Sequence, residues 1–119
     1  MDRFPARMFR GAALYGVAVL LPLYFQPLPA TGKETVLGFI GLALVFQWVF
    51  WIIGSNPAKY RALMLPAVAE KLVFGLPAVA LWAMGDTPGV VAVFAGIDLA
   101  LAIGFLIAWR RTPLPSAVT

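Results

Sequence analysis

The sequence predicts an all-α fold: an integral-membrane four-helix bundle with antiparallel neighbours and with both termini on the cytoplasmic face. Three observations carry that prediction. Of the 119 residues, 62% are hydrophobic and 12% charged, whereas a soluble domain carries about 25% charged residues. A soluble fold of this size has too little interior to hide so much apolar surface. The apolar residues fall in four runs, each near the roughly 20 residues that a helix needs to cross a bilayer. The basic residues sit at the ends of those runs rather than on one clustered face. The lipid bilayer is therefore the expected partner, and nucleic acid is not. The chain, 1–119, reads as a single membrane domain.

Each span has a start and a stop. The first, at about 11–28, follows Arg3, Arg7 and Arg10 and ends in Pro27, Pro29, Thr31 and Gly32, which punctuate a helix. A basic start and an apolar run also describe a signal peptide. Leu28-Pro29-Ala30, however, lacks the small residue required three positions before cleavage, so a retained helix is expected. The second span, 36–54, stops at Ser55-Asn56-Pro57. The third, 65–84, follows an interfacial lead-in from Ala58, with Pro66 marking its start and Gly85-Asp86-Thr87-Pro88 its end. Within it Pro77 removes the hydrogen bond to the Val73 carbonyl and is expected to kink the helix. The fourth, 90–109, stops at Arg110-Arg111-Thr112-Pro113, and the short tail to Thr119 is expected to be mobile.

Orientation follows from the bases. Arg3, Arg7, Arg10, Lys59, Arg61, Arg110 and Arg111 all fall on one side if four helices alternate, and only Lys33 falls on the other. Such asymmetry places the termini and the middle loop in the cytoplasm. Trp48, Trp51, Tyr60 and Trp109 lie near the inner ends of the spans, and Tyr24 and Trp82 near the outer ends. An amphipathic ring is at home at that headgroup level.

Cysteine and histidine are both absent. Their absence excludes thiol nucleophiles, disulfide relays, iron–sulfur clusters, ordinary haem ligation, Ser-His-Asp triads and the usual zinc or copper sites. No catalytic residue, metal ligand or cofactor is read from the sequence.

The informative residues are polar groups at membrane depth. Charge there costs about 2.5–3.5 kcal/mol on insertion scales, yet Glu70 and Lys71 lie in the third span and Asp98 in the fourth, with Gln47 in the second. At about 1.5 Å per residue, Glu70, Lys71 and Gln47 lie roughly 10–12 Å inside the cytoplasmic boundary, and Asp98 roughly 18 Å. A shared cluster of Asp98, Glu70, Lys71 and Gln47 is thus within reach. Structural readings stand beside it: Lys71 can snorkel while Glu70 pairs with it or with Arg61, and Gln47 can bond a neighbouring helix. Asp98 is too short to snorkel and must pair with Lys71, bond polar neighbours or carry a proton. Asp98 shares a face with Val91, Phe94, Ala95 and Phe105; opposite it runs the stripe Ala92, Gly96, Ala100 and Gly104, suited to close helix packing.

The cytoplasmic loop carries Asn56, Pro57, Tyr60 and Arg61. Asn56 is suited to capping a helix with Pro57 at its first position, and Lys59 and Arg61 to meeting anionic headgroups. The pattern Asn56-Pro57-x-x-Tyr60-Arg61-x-Leu63-Met64 followed by Glu70-Lys71 resembles that of small bacterial four-helix membrane proteins of the DoxX-like grouping. The likeness in architecture covers nearly the whole chain and implies a bacterial cytoplasmic-membrane protein. Members in some lineages are cysteine- or quinone-linked redox partners; this chain, without Cys, departs from the thiol role. By architectural analogy, other four-helix families with buried carboxylates bind sterol-like ligands.

The expected function is accordingly non-enzymatic: binding of a small hydrophobic molecule, or service as an accessory subunit of a membrane complex, with a homo-oligomer as one form of assembly. The alternative is a small proton-coupled transporter or a membrane enzyme using the buried carboxylates, which requires a water-accessible path to Asp98. Purely structural packing in a larger complex predicts a small-residue stripe on the fourth helix that only a partner covers.

Overall fold

The computed structural model of the chain describes residues 2–114, so most of the tail expected to be mobile lies outside the described residues. Four helices make up the fold: α1 (Phe4–Leu20), α2 (Lys33–Ser55), α3 (Met64–Ala83) and α4 (Gly89–Arg111). Each, with its flanking turns, is long and apolar enough to cross a membrane. They pack as two antiparallel hairpins, α1 with α2 and α3 with α4; α1 also touches α4, and α2 meets α3 only sparsely.

The ends differ from the apolar runs for local reasons. α1 starts at Phe4, ahead of the run at residue 11, because Pro5 suits a first helical turn. Its early turns need only one apolar face. Pro5, Phe9, Ala12, Ala13 and Gly16 are buried, while Arg3, Arg7 and Arg10 face outward. The α-helix gives way at Leu21 to a 3-10 segment, Leu21–Phe25, since Pro22 has no N–H for the preceding turn. A second 3-10 turn, Arg61–Leu63, leads into α3. α3 closes on Gly85, at φ 80°: the Asp86 N–H donates to the Leu81 carbonyl at 2.9 Å and the Gly85 N–H to that of Trp82 at 3.0 Å. Only glycine takes that left-handed turn without strain.

Tightness within the hairpins comes from glycine. A side chain at Gly75 on α3 would meet Leu99 and the Ala95 carbonyl of α4, and one at Gly54 on α2 would meet Arg10 and the Ala6 carbonyl of α1. Lipid tails are as apolar as leucine, so helices in a bilayer associate through such close packing rather than through the hydrophobic effect.

The core sits at the end of the bundle that holds the start of α1, the end of α4 and the α2–α3 loop. Phe9, Phe50 and Phe105 are each fully buried there, beside Met64, Ile53 and Ala108. The Phe9 and Phe105 rings stack at 4.2 Å and 10°, and Phe50 meets Phe105 edge-on at 5.0 Å. Pairs of this kind add about 0.5–1.5 kcal/mol each beyond their packing. Outside the core, Arg111 grips Asp2 with two bonds of 2.8 and 2.9 Å, joining the start of α1 to the end of α4. The Phe4 N–H and the Arg111 guanidinium hold the Asp2 carboxyl below the ordinary carboxylate range.

The small-residue stripe of α4 packs closely at one end, where a side chain at Gly104 would meet Met8 of α1, but not along its middle. Gly96 and Ala100 are exposed; the buried face is Ala95, Ala102, Phe105 and Ala108. The rotation follows from two residues on one side of the helix: Phe105 in the aromatic core and Asp98, two turns away, on a buried lysine. Outward-facing large apolar residues such as Leu14, Val73, Val93 and Ile103, each more than 60% exposed, give the bundle a lipid-facing surface.

Candidate functional site

Beyond the aromatic core the helices part around a cavity of about 520 Å³. Its walls are apolar: Val19 and Leu23 from the first helical segment, Phe39 and Ala43 from α2, Phe74 from α3 and Phe94 from α4. A smaller hollow of about 280 Å³ shares Phe39, Ala43, Glu70 and Phe74 with it and continues between α2 and α3 to Leu42 and Val73, both widely exposed. The cavity therefore has a side window toward lipid where the two hairpins meet least.

Polar groups gather in this apolar lining. The structure brings Gln47, Glu70, Lys71 and Asp98 together from three helices. The Lys71 Nζ donates to Asp98 Oδ1 at 3.4 Å and lies 3.7 Å from Glu70 Oε2. Lys71 does not snorkel; its side chain is 4% exposed, against 15% for Glu70 and 18% for Asp98. Its ammonium also lies 5.2 Å from the centre of the Phe50 ring, so the aromatic core supports the cation from behind. Two carboxylates thus share one cation. Charges this enclosed hold together only when paired, and breaking such a pair is far costlier than breaking a surface one.

Satisfaction is incomplete. Gln47 is 2% exposed and its Nε2 donates to the Ala43 carbonyl at 2.9 Å. A carbonyl only accepts, so that bond fixes the amide and leaves Oε1 the free end. Gln47 Oε1, Glu70 Oε2 and the Tyr15 hydroxyl are all buried without a hydrogen-bond partner. Native structures leave few such atoms, and each needs an explanation. Here all three belong to residues lining one cavity.

Tyr15 and Gly16 are the parts that sequence reasoning missed. A lone phenol in an apolar run carries no periodic signal, and it is placed in the site only by the pairing of α1 with α2. Gly16 has the clearer role: any Cβ there would run into the Gln47 amide, so the glycine makes the room in which Gln47 turns inward.

The loop residues do not join the cavity. The Asn56 Oδ1 accepts from the Lys59 N–H at 3.3 Å and its carbonyl from the Tyr60 N–H at 3.1 Å, so Asn56 ends α2 and closes a turn rather than starting a helix at Pro57. Pro57 occupies that turn. Arg61 is turned onto the end of α4: its Nε donates to the Thr112 carbonyl at 2.8 Å, and its guanidinium lies 4.4 Å from the Trp109 ring. These contacts moor the loop to the end of α4. No group of three His, Cys, Asp or Glu side chains gathers to hold a metal among the described residues.

Compared with protein-family models, with curated proteins and with solved structures, the chain matches none. Helices and surface define the class: a four-span membrane protein in contact with the lipid bilayer.

Proposed function

We propose that the protein binds a small, largely hydrophobic molecule in its intramembrane cavity, through the cluster of Asp98, Glu70, Lys71 and Gln47 joined by Tyr15. One observation carries the reading: a cavity of about 520 Å³ with apolar walls is lined by residues that bear three buried, unpartnered oxygens. Small-molecule sites have this anatomy, concave and apolar with a few polar groups that orient the ligand. The side window between α2 and α3 suits a ligand arriving from the bilayer. The positive-inside distribution of Arg and Lys supports a topology with both termini cytoplasmic. A bacterial cytoplasmic membrane rests on the loop pattern from Asn56 to Met64.

Native mass spectrometry of protein released from gently solubilised membranes tests the reading. A stoichiometric small apolar molecule is expected on the wild type, absent from Asp98→Asn and from the cavity-filling Ala43→Phe, and less affected by Gln47→Ala. An empty cavity with a stoichiometric protein partner would replace ligand binding with the accessory-subunit role. A bare, monomeric protein from every preparation would refute both.

A further inference from the structure

Resting on that reading of the cavity, we infer that its ligand is a hydrophobic amine, bound as the ammonium ion, and not an acid or a simple alcohol. The inference follows from the carboxyl groups that line the cavity. Glu70 and Asp98 both stand in its wall, their side chains 15% and 18% exposed, and they share one lysine. An ammonium offers N–H donors and a positive charge to both; a ligand hydroxyl offers one donor and no charge.

Charge points the same way. With both ionised, Glu70 and Asp98 set two negative charges against the single positive charge of Lys71, and the cluster is then one cation short. An ammonium supplies it, with charge-assisted bonds roughly twice as strong as neutral ones. An incoming carboxylate or phosphate would meet a lysine already flanked by two carboxylates and would add a third negative charge to an enclosed site. The walls agree as well: Phe39, Phe74 and Phe94 line the cavity, and aromatic faces attract organic cations.

Three rigid, water-soluble probes of one shape separate the possibilities: 1-adamantylamine, 1-adamantanol and adamantane-1-carboxylate. Each is titrated at neutral pH against full-length protein in phosphatidylcholine nanodiscs by ligand-detected NMR, with empty discs measuring partition into lipid. The amine is expected to bind at least about tenfold more tightly than the alcohol, the carboxylate to show no binding above empty discs, and Glu70→Gln to remove the amine's advantage. Alcohol binding as tight as amine binding, or tighter carboxylate binding, would overturn the amine while leaving the hydrophobic cavity standing. Binding of none of the three to the wild type would overturn the cavity reading along with it. The wild-type comparison decides the matter even if Glu70→Gln fails to fold.

Discussion

Replacing Lys71 with methionine isolates the interaction on which the polar cluster depends. Methionine keeps much of the length and volume of the stem and removes only the ammonium, so core packing against Phe50 survives. In the wild type that ammonium lies 3.4 Å from Asp98 and 3.7 Å from Glu70. At an effective dielectric of about 20, each attraction is worth roughly 4.5–5 kcal/mol before desolvation. Relaxation and entry of water reduce the loss, and breaking an enclosed pair typically costs about 3–5 kcal/mol. Lys71→Met is thus expected to destabilise the protein by about 3 kcal/mol. The double variant Lys71→Met/Asp98→Asn should recover at least half of this, because it removes one of the two stranded charges. Reversible unfolding in bicelles, followed by steric trapping, measures both. A Lys71→Met protein within about 0.5 kcal/mol of wild type would refute the argument, since surface substitutions do no more than that. So would a double variant no more stable than the single.

Two further outcomes test the packing and the terminal clasp. Gly75→Ala should lose about 1–3 kcal/mol by thermal melting in detergent, because its methyl group meets Leu99 and the Ala95 carbonyl; Gly96→Ala, with nothing within 4 Å, should be neutral or gain up to about 1 kcal/mol. The Asp2 carboxyl is held below its ordinary value of 3.8 by the Phe4 N–H and by Arg111, so its contribution is present above that value and is lost as pH falls through the lower folded-state value. Protection of the first-turn amides of α1, taken relative to the intrinsic exchange rate at each pH, should therefore fall on strong acidification in the wild type, and Asp2→Asn should show the lower protection at every pH.

Much of the architecture was legible because hydropathy and charge answer one question at a time. Runs of apolar residues located the spans, and the four polar positions stood out against them as chemically expensive. That Gln47, Glu70, Lys71 and Asp98 converge was within reach of helical rise alone. Helix rotation was harder. The stripe Ala92, Gly96, Ala100 and Gly104 looked like a packing face, yet the pull of Lys71 on Asp98 and of the aromatic core on Phe105 turned Gly96 and Ala100 outward and left Gly104 packed against Met8. The bond of Arg61 was likewise hidden, because its partner, the Thr112 carbonyl, lies 51 residues away and belongs to the backbone, which no composition reveals. Tyr15 and Gly16 gained their meaning only from the register of α1 against α2.

The pairing of Lys71 with Asp98 also bears on how the chain enters a membrane. Glu70 and Lys71 leave the ribosome 27 residues ahead of Asp98, which at 5–20 residues per second is an interval of about one to five seconds. During that interval the third span carries two ionisable groups, each disfavoured in lipid by about 2.5–3.5 kcal/mol, with no Asp98 to offset the lysine. Partition of the third span into the bilayer is therefore cheapest once the fourth has emerged beside it. The second hairpin is thus expected to insert as a single unit, and a chain cut between Gly85 and Gly89 to leave the third span reluctant to stay in lipid.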